Sequence, residues 1–89
     1  MPLISMFYGV LVYMYYFDNK QHKMPHIHAK YQGEESVFNI ETGEILEGNL
    51  RAAKVRLVQA WIEIHRDELL ADWQLATTGE AVFKIDPLK

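Results

Sequence analysis

The sequence predicts an α+β fold, a small and mostly antiparallel meander of three to four strands packed on a C-terminal helical pair. Three observations carry this. The first half sets short runs of apolar, aromatic and β-branched residues between turn formers. From about residue 50 onward, apolar residues recur at intervals of three and four. No internal repeat, low-complexity tract or linker separates the halves, so residues 1–89 read as a single domain. Its sheet region is expected over 6–48, its helical region over 50–77, and an extended tail or edge strand over 78–89.

The N-terminal run MPLISMFYGVLVYMYYF lacks a basic start and a small-residue cleavage site, so it is a poor signal peptide. It is also shorter than the roughly 20 residues a membrane helix needs. Residues 7–17 read as one long strand, apolar on both faces and therefore central or covered on both sides. Asp18, Asn19 and Pro25 mark residues 18–25 as a loop. Strands at 26–32 and 35–41 follow, with Gly33-Glu34 as the expected two-residue turn. In that register His28 faces Asn39 and His26 faces Glu41. Ile27, Ala29, Tyr31, Phe38 and Ile40 share an apolar face, opposite His26, His28, Lys30, Glu35, Val37 and Asn39.

A second turn at Thr42-Gly43 leads to a short strand near 44–47, and Asn49 is the expected helix N-cap. Leu50, Ala53, Leu57, Ala60, Trp61 and Ile64 form the expected core stripe of the first helix, flanked by a second row of Val55, Val58, Ile62 and His65. Leu69, Leu70, Trp73 and Ala76 follow the phase of the second row, not of the first. A break or strong kink near 65–68 is therefore expected, since a straight helix over 50–77 would overrun so small a sheet at about 1.5 Å per residue. Gly79 ends the helical region.

Composition narrows the function classes. A net charge of −3 argues against non-specific nucleic-acid binding. The absence of cysteine removes disulfides and thiolate metal ligands and favours a reducing cytoplasm. There is no phosphate-binding glycine loop, no zinc-finger spacing and no serine or cysteine triad. The tyrosines Tyr8, Tyr13, Tyr15, Tyr16 and Tyr31 read as strand residues that could also form an aromatic partner surface.

The chemistry-bearing stretch is DNKQHKMPHIHAKY, residues 18–31. His26 and His28 point to one strand face, where two imidazoles can share a divalent metal such as zinc. His22, Asp18, Glu41 and Glu35 are the candidate further ligands. The same histidines could pass protons in hydrolysis, with Lys20, Lys23 and Lys30 near a phosphate. The plainer reading is that they organise the loop and cap the polar sheet face.

Three segments resemble the bacterial family named domain of unknown function 4160: FYGVLVYMYYFDNKQHKMPHIHAKYQGEESVFNIETGEILEG, VRLVQAWIEIHRDELLADW and the ending KIDPL. In that family the loop usually reads His-x-Pro-Pro-His-Phe-His-Ala. Here His22, His26 and His28 match, while Met24 and Ile27 depart from the first proline and the phenylalanine. The resemblance implies no established activity and no catalytic residues. It implies a small protein partner, since members are often encoded beside another small protein in a layout like a toxin–antitoxin pair.

Two function classes follow. One is a cytoplasmic protein-interaction domain or self-associating chain, not an enzyme, whose partner surface is the Val55, Val58, Ile62 row or an exposed strand edge. The other is a metal-binding or hydrolytic site built from His22, His26, His28 and Glu41.

Overall fold

The computed structural model describes residues 2–16 and 23–89. Among these, five strands form one antiparallel sheet: β1 (Leu3–Phe7), β2 (Val10–Tyr13), β3 (His26–Tyr31), β4 (Glu34–Asn39) and β5 (Ile45–Gly48). Their order in space is their order in the chain. One helix, α1 (Ala52–Thr77), follows. The α+β class stands, but the expected three to four strands are five and the expected helical pair is one helix.

The extra strand comes from the N-terminal run, which folds as a hairpin and not as a single strand over 7–17. Tyr8 and Gly9 both take positive φ, 49° and 80°, and Phe7 pairs with Val10. Positive φ at both turn positions suits the right-handed twist of the flanking strands. Apolarity on both faces hid the hairpin, because no alternation marked the reversal.

The β3–β4 register is also corrected. The turn is Gln32-Gly33, with φ 46° and 82°, and the strands pair His26↔Asn39, Ile27↔Phe38, His28↔Val37 and Lys30↔Glu35. Moving the turn by one position shifts each partner by two residues. Side chains alternate with period two, so the two face sets survive while every cross-strand partner changes.

The helix begins after Arg51, not at Asn49, and Arg51 makes no side-chain cap. Asn49 Oδ1 instead accepts the Glu35 N–H at 3.4 Å. Val58, Trp61, Ile62, Leu69, Trp73 and Ala76 are the buried apolar stripe of α1. Of the expected core stripe only Leu50 and Trp61 are buried; Ala53 and Ala60 are exposed, Leu57 is half-buried and Ile64 is 65 % exposed. The stripe runs continuously along one helix, so no change of phase separates two.

The bend is nevertheless present. His65 takes φ −111° and ψ 22°, outside the helical region. A straight helix of 26 residues would span about 39 Å, more than the 33 Å long axis of the molecule. The kink keeps both ends of the stripe on the core. Around it, Trp61 packs on Phe7 with ring centroids 5.2 Å apart. Arg66 Nε donates to Ile40 O and Gln59 Nε2 to Gly43 O, both at 3.0 Å, tying α1 to the sheet.

At the helix end Gly79 N–H bonds Ala76 O and Glu80 N–H bonds Leu75 O. The remaining residues form an extended tail, not a strand. The tail is pinned where Ile85 N–H donates to Ile4 O at 2.8 Å and Trp61 Nε1–H donates to Asp86 O at 2.8 Å.

Candidate functional site

The polar face of the sheet gathers the two histidines of β3 and a row of rings. β2 places Tyr13 opposite His28, and β3 carries His26 and His28 two residues apart on the same face. Tyr13 and Tyr15 lie parallel with centroids 6.2 Å apart, and Tyr15 meets His28 edge-on at 4.4 Å. His28 lies 5.5 Å from His26, which lies 4.8 Å from Trp73 of α1. The rings thus run from the sheet face to the second half of the helix.

Each imidazole is oriented through Nδ1. His26 is 1 % exposed, and its Nδ1 is 2.8 Å from Met24 O. A carbonyl oxygen only accepts, so Nδ1 carries the proton. His28 Nδ1 is 3.2 Å from Glu35 Oε2, a carboxylate that likewise accepts. Beside this pair, Lys30 Nζ lies 4.9 Å from the Tyr13 centroid and 5.9 Å from that of Tyr15. Hydrogen bonding to Tyr15, partly opposed by burial and assisted by the Glu35 charge, holds the Lys30 ammonium above its ordinary pKa.

The register decides which predicted residues meet. Glu35 reaches His28, but Asn39 faces His26 where Glu41 was expected. Glu41 sits exposed in the following turn, its N–H bonded to Asn39 Oδ1 at 2.7 Å. His22 and Asp18 lie outside the described residues. Among the described residues, no three His, Cys, Asp or Glu side chains come together in an arrangement able to hold a metal ion. The other candidate surface is corrected: Val58 and Ile62 are 0 % exposed and Val55 packs half-buried against the same core. That row is interior because it, not the Leu57–Ile64 side, faces the sheet. A charge introduced there, as in Ile62→Glu, would test folding and not binding.

Asp72 is a buried polar residue outside the histidine cluster. It is 3 % exposed, with Oδ1 accepting the Phe83 N–H at 3.0 Å and Oδ2 lacking a hydrogen-bond partner among the described residues. The sequence signal of that burial is its place on the apolar stripe, three residues after Leu69 and four before Ala76. Burial, aided by the Glu68 charge and opposed by the Phe83 N–H, raises its carboxyl pKa above the ordinary 3.8. The folded chain therefore binds this proton more tightly than the unfolded chain. Its contribution favours folding most at low pH and declines as pH rises from the ordinary aspartate value through the folded one. In parallel urea titrations across acidic pH, the stability of wild type relative to Asp72→Asn should fall as pH rises. A difference that is flat or rises with pH would contradict this.

A family model described as a domain of unknown function (DUF4160) matches residues 9–74 of the 89. The chain belongs to this family. The DUF4160 match spans β2 to most of α1 and leaves β1 and the C-terminal tail outside. Neither a curated protein nor a solved structure matches the chain. Among the described residues of this DUF4160 protein, no helix is long and apolar enough to cross a membrane.

Proposed function

We propose that this DUF4160 chain is a small bacterial, cytoplasmic protein-interaction domain, one component of a toxin–antitoxin-like two-gene module, and that it receives its partner along β5. The observation that supports this is the position of β5 at the end of the strand order, with a neighbouring strand on one side only among the described residues. Ile45 on this strand is 43 % exposed. An outer strand offers main-chain donors and acceptors to a partner's strand. The β4–β5 register shifts between Val37 and Phe38, and Glu47 adds a charge. A short, irregular, charged edge limits pairing to a few residues, which suits one specific partner better than open-ended stacking.

The test is co-purification with the small protein encoded by the neighbouring gene. Ile45→Lys is expected to weaken that complex by about tenfold or more, about 1.4 kcal/mol, while the melting temperature of the isolated domain stays within a few degrees. Unchanged affinity would sink the β5 reading.

One observation supports a second reading, divalent-metal binding or hydrolysis at the histidines. Metal-ligating imidazoles characteristically donate the other ring N–H to a carbonyl or carboxylate, and His26 and His28 do so to Met24 O and Glu35. Calorimetric zinc titration of chelator-treated protein should then show stoichiometric binding, tighter than about micromolar, that is lost in His26→Ala/His28→Ala. Binding that survives the double substitution, or none in wild type, would remove it.

A further inference from the structure

Outer strands are ordinarily guarded against stray pairing by a charge, a proline or extreme shortness. β1 reads Leu-Ile-Ser-Met-Phe and carries neither charge nor proline. The missing residue types stand at the far end of the chain, in Lys84, Asp86 and Pro87. These flank Ile85, whose N–H bonds Ile4 O, and they line a groove of about 340 Å³ between the tail and residues 3–6.

The tail is a strap and not a sixth strand. Beyond the bond to Ile4 it is held by two helix side chains, through Trp61 Nε1–H to Asp86 O and through Asp72 Oδ1 to Phe83 N–H. Among the described residues, Ser5 Oγ on β1 and Asp72 Oδ2 beside the strap are buried without a hydrogen-bond partner.

We propose that residues 81–89 are a removable guard, and that the β1 edge beneath them pairs antiparallel with β1 of a second copy of this chain when the guard lifts. A charge-free strand meets its own copy about a two-fold axis without opposing like charges. β5, with its irregular register and Glu47, is the poorer self-partner. This inference concerns the opposite edge of the sheet and does not depend on the β5 reading.

Sedimentation equilibrium of Ile85→Ala and of Ile85→Ala/Met6→Lys tests it, each variant checked for folding by circular dichroism. Met6 is 60 % exposed on β1, so lysine there adds a charge of the same sign to each copy of the pairing edge without entering the core. Ile85→Ala should move the monomer–dimer balance toward dimer by about tenfold or more, and the added lysine should reverse it. A folded Ile85→Ala that stays monomeric, or a dimer indifferent to Met6→Lys, overturns the proposal. Should Ile85→Ala fail to fold, hydrogen exchange of the wild-type chain decides. A peptide of residues 2–7 should then speed exchange at the Ile85 and Phe83 amides by displacing the strap, and no change in either amide overturns the proposal equally.

Discussion

Trp61→Ala is expected to remove most of the stability of the domain. The indole is fully buried, packs on Phe7 and donates to Asp86 O, so one side chain joins helix, sheet and tail. Truncating a buried tryptophan costs about 3–5 kcal/mol, and the lost hydrogen bond adds about 1 kcal/mol. Domains of this size hold about 4–13 kcal/mol in all. At about 4–8 °C per kcal/mol, the melting temperature should fall by about 20 °C or more. Trp61→Phe keeps much of the volume and loses the N–H, so it should lie between. The check is thermal unfolding followed by far-ultraviolet circular dichroism. A loss below about 2 kcal/mol would mean that the site collapses readily and that the indole is not the keystone of the packing.

Gly48→Ala carries the second large effect, although the residue lies exposed at the end of β5. Its φ is 109°, and a Cβ built there would stand 2.1 Å from Glu35 O and 2.5 Å from the Ser36 Cα. Both obstacles are backbone, so no rotamer change relieves them. The β4–β5 pairing at Ser36↔Gly48 must open or shift. The strained backbone alone costs about 1–3 kcal/mol, and the displaced ladder adds to it. Gly33→Ala is the matched control, with φ 82° and open space around the added atom. It should cost about 1–2 kcal/mol from the left-handed backbone alone. Urea denaturation of the two variants separates the terms. Equal losses would show that the clash at Gly48 relaxes without cost.

What could be read from residues alone follows from what periodicity encodes. The β3–β4 alternation assigned Ile27, Ala29 and Phe38 to one face and His26, His28 and Lys30 to the other, and that partition holds. It could not choose between turns one position apart, because both keep the same parity. The choice fell to the Gln32 backbone, whose positive φ no side-chain preference announces. The residue facing His26 consequently changed from Glu41 to Asn39. In α1 two apolar rows competed, and composition could not rank Val58 and Ile62 above Ala53 and Ile64. The ranking came from the sheet, which accepts the row in phase with Leu69 and Trp73. The histidine pair was legible from its spacing of two residues, whereas its ring neighbours Tyr15 and Trp73 come from separate elements that only the fold brings together.

The neighbour-to-neighbour order of the strands bears on how the chain reaches its fold. Each pairing, from β1 with β2 to β4 with β5, joins segments adjacent in sequence, so the sheet can assemble through a series of local closures. Pairing between consecutive strands keeps each loop closure short and favours faster folding than long-range pairing would. The bond between Ile85 and Ile4 is of another kind, since it brings together two ends that ribosomal synthesis separates in time. While residues 81–89 are still unmade, β1 lacks the strap that later covers it.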